Sequence, residues 1–95
     1  MYQIVRTKDF EKSYKKIQRS GTLKAKTKAN LSEVVTLLAL GKTLPAEYED
    51  HQLGGELKAY RECHIKGDLL LVYQKNKSEL VLILVDIGTH SYLGL

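Results

Sequence analysis

Residues 60–74 read YRECHIKGDLLLVYQ, and the fold turns on how this stretch is parsed. Cys63 and Ile65 alternate with Glu62 and His64, the period of two that sends successive side chains to opposite faces of a β-strand. Leu57 and Ala59 extend the apolar series backwards, and Lys58 and Tyr60 extend the polar one, so a strand is expected from about residue 56. Arg61 breaks the pattern by falling on the apolar side. Lys66-Gly67-Asp68 is a turn, and LLLVYQ at 69–74 returns as a second strand. Arg61, Glu62, His64 and Asp68 thus crowd one end of a hairpin that does not need them in order to fold.

Working outward, KNKS at 75–78 turns the chain again into ELVLILVDIG at 79–88, and three strands joined by tight turns form an antiparallel meander. LVLILV is apolar on both sides, so both sheet faces should be at least partly covered, leaving a concave surface near His64. Upstream, YQIVRT at 2–7 is a short strand. Thr7 is a candidate helix N-cap, with Asp9 and Glu11 placed to suit the positive end of the helix dipole. Phe10, Tyr14 and Ile17 form an apolar stripe, and Ser20-Gly21 ends that helix. A second helix is expected from near Thr22, with Leu31, Val34, Val35 and Leu38 on one face, Gly41 at its C′ position and Pro45 beyond. The expected architecture is α+β: an N-terminal strand, a helical hairpin, then a three-stranded antiparallel meander completing one sheet, all in one domain over residues 1–95.

Composition narrows the function classes. No apolar run approaches the roughly 18–20 residues of a membrane span, the first ten residues lack the features of a signal peptide, and no membrane partner is expected. A single cysteine, Cys63, excludes an internal disulfide and fits a reducing cytoplasm. The net charge of +4 conceals an asymmetry: residues 1–28 hold nine Lys or Arg against Asp9 and Glu11. Lys12, Lys15, Lys16, Lys24 and Lys28 in that segment could form an electrostatic footprint for a polyanion, or simply a solvated helix surface.

All three histidines, His51, His64 and His90, lie in the sheet half. None falls in a close metal-binding pair, so spacing gives no support for a metal site. In a meander, however, the end of the first strand, the start of the second and the end of the third share one edge. His64, Asp68 and His90 can therefore meet, with His51 reaching them through its loop. Metal-free phosphodiester cleavage needs a base for the ribose 2′-hydroxyl, an acid for the leaving 5′-oxygen and cations for the phosphate. Histidine suits both proton tasks.

LPAEYEDHQLGGELKAYRECHIKGDLLLVYQ at 44–74 followed by GTHSYL at 88–93 resembles the YafQ branch of the RelE/ParE toxin superfamily. The resemblance rests on Asp50, His51, Leu53 and Gly55, then Tyr60, Arg61, Glu62 and His64, then Asp68, Leu71 and Tyr73, and finally Gly88, Thr89 and His90. It implies a type II toxin that enters the ribosomal A site, cuts messenger RNA and is neutralised by a cognate antitoxin. Carried over by position, His51, His64, Asp68 and His90 match the branch's catalytic set, with Glu62 at its acidic position. His90 would be the general acid, His51 or His64 the general base, and Asp68 the residue that orients a histidine. Lys58 and Arg61 join the helical lysines as candidate RNA contacts, Arg61 having a structural ion pair as its other reading; no cofactor or metal is implied. Three positions depart from the pattern: Gly94 stands where an aromatic is common, Asp86 where a basic residue is common and Gly67 where proline is frequent. The first two bear on catalytic strength and support the rival reading, a non-catalytic member that acts by binding protein.

Overall fold

In the computed structural model, which describes residues 1–95, strand β1 (Gln3–Arg6) runs into helix α1 (Lys8–Arg19) through Thr7. The Thr7 hydroxyl accepts from the Phe10 amide at 2.9 Å and donates to the Val85 carbonyl at 2.7 Å, so one side chain caps the helix and ties it to the sheet. Such a cap is worth about 1 kcal/mol. Helix α2 (Ala25–Ala39) ends as its sequence requires: Gly41 takes φ +74°, its amide reaches Leu38 and that of Lys42 reaches Leu37, closing the last turn.

Beyond α2 come a two-residue strand β2 (His51–Gln52), then β3 (Arg61–Lys66), β4 (Leu69–Asn76), β5 (Val81–Gly88) and a single-turn helix α3 (His90–Leu93). The sheet order is β1-β5-β4-β3-β2, with β1 parallel to β5 and every other pair antiparallel. Phe10, Leu31, Val34 and Leu38 from the helices pack on Cys63, Ile65, Leu71, Tyr73, Leu82, Leu84 and Ile87 from one sheet face. Burying each such aliphatic side chain contributes roughly 1.5–3 kcal/mol. Leu70 and Val72 are buried on the opposite face, where Leu53, Leu57, Tyr60 and Leu93 gather around Val72 and Val85. Both faces are covered, as the apolar run in β5 requires.

The expected α+β order holds, with four local differences. The strand expected from residue 56 begins only at Arg61, because Gly55 at φ +60° starts a 3-10 turn through Leu57, and Leu57 stays 40% exposed. Helix α2 starts at Ala25 rather than near Thr22. The Ser20 and Thr22 hydroxyls bond each other at 2.7 Å across the turn at Gly21, and Lys24 is extended where the helix begins. β4 runs through Asn76, so the turn falls at 77–80, where the Asn76 side chain accepts from Ser78 and Glu79. β2 and α3, each four residues or fewer, are too short for any periodicity to announce them.

Candidate active site

The sheet register assembles the site. His51 in β2 pairs directly with Glu62 in β3, so no loop excursion is needed to bring that histidine in. His64 sits two residues further along the same face of β3, in a row with Leu70 of β4 and Gly88 of β5. Two residues past Gly88, the Thr89 hydroxyl accepts from the Tyr92 amide at 3.1 Å and starts α3 with His90. Asp68 occupies the β3–β4 turn beside it. All five residues expected to act together from the sequence, His51, Glu62, His64, Asp68 and His90, meet at one sheet end.

Glu62 is the hub. Its Oε1 lies 3.6 Å from His51 Nε2, 3.6 Å from His64 Nε2 and 4.0 Å from His90 Nε2. Alternation put Glu62 beside His64 on a partly covered face; the structure makes it 3% exposed, roofed by the three imidazoles. The rings of His51 and His90 flank His64, with centroids 6.4 and 5.7 Å away.

The outer nitrogens are held by oxygen acceptors. His51 Nδ1 lies 2.8 Å from the Glu49 carbonyl, which can only accept, so Nδ1 carries a proton and Nε2 is the nitrogen turned to the site. His90 Nδ1 lies 2.7 Å from Asp68 Oδ1. This bond raises the His90 pKa above the usual histidine range and lowers that of Asp68 below the usual carboxylate range. His64 Nδ1 faces the Glu49 carboxylate at 3.7 Å. Glu49 therefore serves two histidines, one through its backbone and one through its side chain. Its left-handed conformation, φ 47° and ψ 45°, is unusual for a residue with a side chain. No motif spacing singles out Glu49, since its role depends on that backbone turn.

The donor atoms of Glu62, His64 and His90 lie within 4.8 Å of one another, a set of one carboxylate and two imidazoles that could hold a transition-metal ion. Sequence spacing gave no sign of this because the ligands come from β3 and α3, and the sheet brings together histidines that are 26 positions apart.

The other candidate residues divide. Arg61 is committed to the opposite face: its Nη2 donates to Asp50 Oδ2 at 3.1 Å, and its Nε reaches Asp50 Oδ1 at 3.4 Å and the Tyr73 hydroxyl at 3.3 Å. Tyr73 itself donates to Asp50. The Asp50 contact pushes the Arg61 pKa up, and burial does the same for the Tyr73 phenol. Lys58 is exposed in a groove with Lys42, Lys75 and Lys77 on the Arg61 side, not on the Glu62 face as alternation implied. Lys12, Lys15, Lys16, Lys24 and Lys28 are all exposed. Cys63 is fully buried, and burial moves its thiol pKa to about 12, so it is a core residue.

Comparison with known proteins identifies the family. Residues 2–94 match the family model described as the bacterial toxin of type II toxin–antitoxin systems, YafQ. The chain is 33% identical over 92 residues to the mRNA interferase toxin YafQ of Escherichia coli K12, covering 95% of this chain and 97% of that protein. A shorter alignment of 31 residues, 33% of this chain and 30% of the other protein, reaches 64% identity with a YafQ homologue of Haemophilus influenzae. Among solved structures, a metal-bound toxin from Helicobacter pylori superposes with a TM-score of 0.85 at 45% identity, over 98% of this chain and 99% of that one. The E. coli DinJ–YafQ complex gives 0.82 at 31% identity, over 98% of both chains. This chain belongs to the YafQ family of bacterial toxins from type II toxin–antitoxin systems.

Proposed function

We propose that this protein is an endoribonuclease toxin that cuts messenger RNA on the ribosome by metal-independent attack of the ribose 2′-hydroxyl. Three histidine Nε2 atoms within 4.0 Å of one buried carboxylate oxygen carry the reading, because the outer two differ in their second nitrogen. His51, with its proton fixed on Nδ1, is the general base toward the 2′-hydroxyl. His90, whose charged form the Asp68 carboxylate favours, is the general acid that protonates the leaving 5′-oxygen. His64 stands between them, where the phosphate's developing charge would lie, and the buried Glu62 carboxylate lies beneath all three rings. The exposed lysines of α1 and α2 supply a sequence-independent, salt-sensitive attraction to ribosomal RNA in the A site.

Named relatives support two parts of this reading. The E. coli relative is named an mRNA interferase, and the DinJ–YafQ complex supports a cognate antitoxin as the partner that silences the toxin in the cytoplasm. No helix is long and apolar enough to cross a membrane. The H. pylori likeness and the Glu62–His64–His90 donor set favour a second state. A metal held there would act as a Lewis acid toward a phosphoryl oxygen. It would also occupy the nitrogens that acid–base cleavage requires. A protein-binding toxin without catalysis is the remaining alternative.

Induction of the chain in bacteria, with messenger RNA ends mapped beside His90→Ala, tests the reading. Cuts that need ribosomes and vanish in the variant are expected. Growth arrest that survives His90→Ala with no RNA cleavage would sink the enzyme reading in favour of protein binding.

A further inference from the structure

A cleft of about 430 Å³ opens next to the Asp68–His90 pair, lined by Asp68 and Thr89 but by none of the histidines and not by Glu62. One of its walls is Tyr92, whose ring is unusually well fixed for a residue on a one-turn helix. The ring lies on Gly88, where an added Cβ would come within 2.5 Å of it, so residue 88 must lack a side chain for the ring to sit there. Its hydroxyl is 2.9 Å from Ser13 Oγ. Ser13 is 2% exposed and gives its own proton to Asp86 at 2.7 Å, so Tyr92 must be the donor in the first bond. The directed chain Tyr92 to Ser13 to Asp86 locks the ring against α1 and β5 while 46% of the residue remains exposed. Ile17 and Leu69 add apolar lining, and Lys16 and Lys66 bring two cations, the Lys16 ammonium lying 4.8 Å over the Tyr92 ring.

An anchored, uncovered aromatic ring with apolar lining and two ammonium groups has the makings of a nucleotide site. Bases stack on aromatic rings irrespective of sequence, and lysines take the phosphate. The volume falls in the usual range for small-molecule sites, roughly 300–1,000 Å³. We propose that this cleft is a nucleotide subsite for the messenger residue on the leaving-group side of the cut, its base against Tyr92 and its 3′-phosphate on Lys16 and Lys66. The assignment rests on the proposed function above. His90 protonates the 5′-oxygen of that residue, so the residue must lie on the His90 side, and the Asp68 that holds His90 also borders the cleft. A base entering the cleft takes the place of Lys16 over the ring and leaves its ammonium free for phosphate.

The test uses the full chain and a trinucleotide with 2′-deoxyribose at the cut position, which binds without reacting. Amide shifts are expected at residues 16–22, 66–69 and 88–92. Thr22→Trp, which fills the cleft from the exposed α1–α2 link, should weaken binding at least tenfold, and Lys16→Gln, which leaves the fold alone, about threefold to tenfold. Both should leave the histidine ring signals in place. On ribosomes carrying messages that differ only after the cut, wild type should favour the more strongly stacking purines by a few-fold, and Thr22→Trp should flatten that preference. Shifts confined to the three histidines overturn the subsite, as do cuts whose base preference survives Thr22→Trp. A KM that rises equally for all four messages assigns the cleft to ribosomal RNA and overturns the messenger assignment. Loss of antitoxin binding without loss of trinucleotide binding assigns it to protein and overturns the subsite. A wild-type chain that cuts no message brings down the nuclease reading itself.

Discussion

Two polar clusters sit back to back where β2 meets β3, and they are built differently. On the helix side, Arg61, Asp50 and Tyr73 satisfy one another with direct hydrogen bonds, and Tyr73 is fully buried. On the other side, three histidine nitrogens stand 3.6–4.0 Å from Glu62, too far for good hydrogen bonds, although the outer nitrogens of His51 and His90 are hydrogen-bonded. Adjacent residues, Asp50 and His51 at the entry to β2 and Arg61 and Glu62 in β3, feed the two clusters through simple alternation. The difference teaches how to tell them apart. A cluster whose donors and acceptors are used up holds structure together, whereas one that is oriented from behind and open in front is ready for a ligand.

The sharpest way to break that comparison is to delete one member of each cluster. His51→Ala should cost about 10²–10⁴-fold in single-turnover cleavage on programmed ribosomes. Its urea unfolding midpoint should not move; a coupled loss of stability would make the histidine side structural as well. Arg61→Ala should do the reverse, losing about 1–3 kcal/mol in urea unfolding while the folded fraction keeps cutting within a few-fold. The lower end is expected, since the Arg61 side chain is 38% exposed and Asp50 keeps its bond to Tyr73.

Asp68→Asn sharpens the assignment within the histidine cluster. The acid must be protonated to act, and Asp68 raises the His90 pKa, so wild-type activity persists to higher pH than an ordinary histidine would allow. Replacing the carboxylate with an amide should move the alkaline limb of the pH–rate profile to lower pH and leave the acid limb in place. An unmoved alkaline limb would remove His90 as the acid. The smallest effect concerns the metal. Chelator should leave cleavage unchanged, whereas added zinc or copper should inhibit it by engaging Glu62, His64 and His90; loss of activity with chelator would reverse the roles of the two states.

The departures noted in the sequence look different once folded. Asp86 accepts from Ser13 and from the Ile87 amide, and through Ser13 it meets Tyr92, so the acidic residue belongs to the support of that ring. Gly94 adopts φ +74° and closes α3, a conformation that favours glycine over an aromatic residue.

The sequence by itself determined the meander, both long helices and the caps at Thr7 and Gly41, because those features rest on periodicity and on local backbone bonding. Its topology argument also placed His64, Asp68 and His90 at one sheet end, since tight turns leave few ways to arrange three strands. Only the tertiary structure decided that Glu62 is buried beneath the histidines, that Glu49 faces two of them and that Arg61 is bound to Asp50 and Tyr73. Alternation names a face, but burial depends on what covers that face. The cover here is a pair of histidines from β2 and α3, elements too short to carry a period of their own, which reach Glu62 only when the sheet has formed.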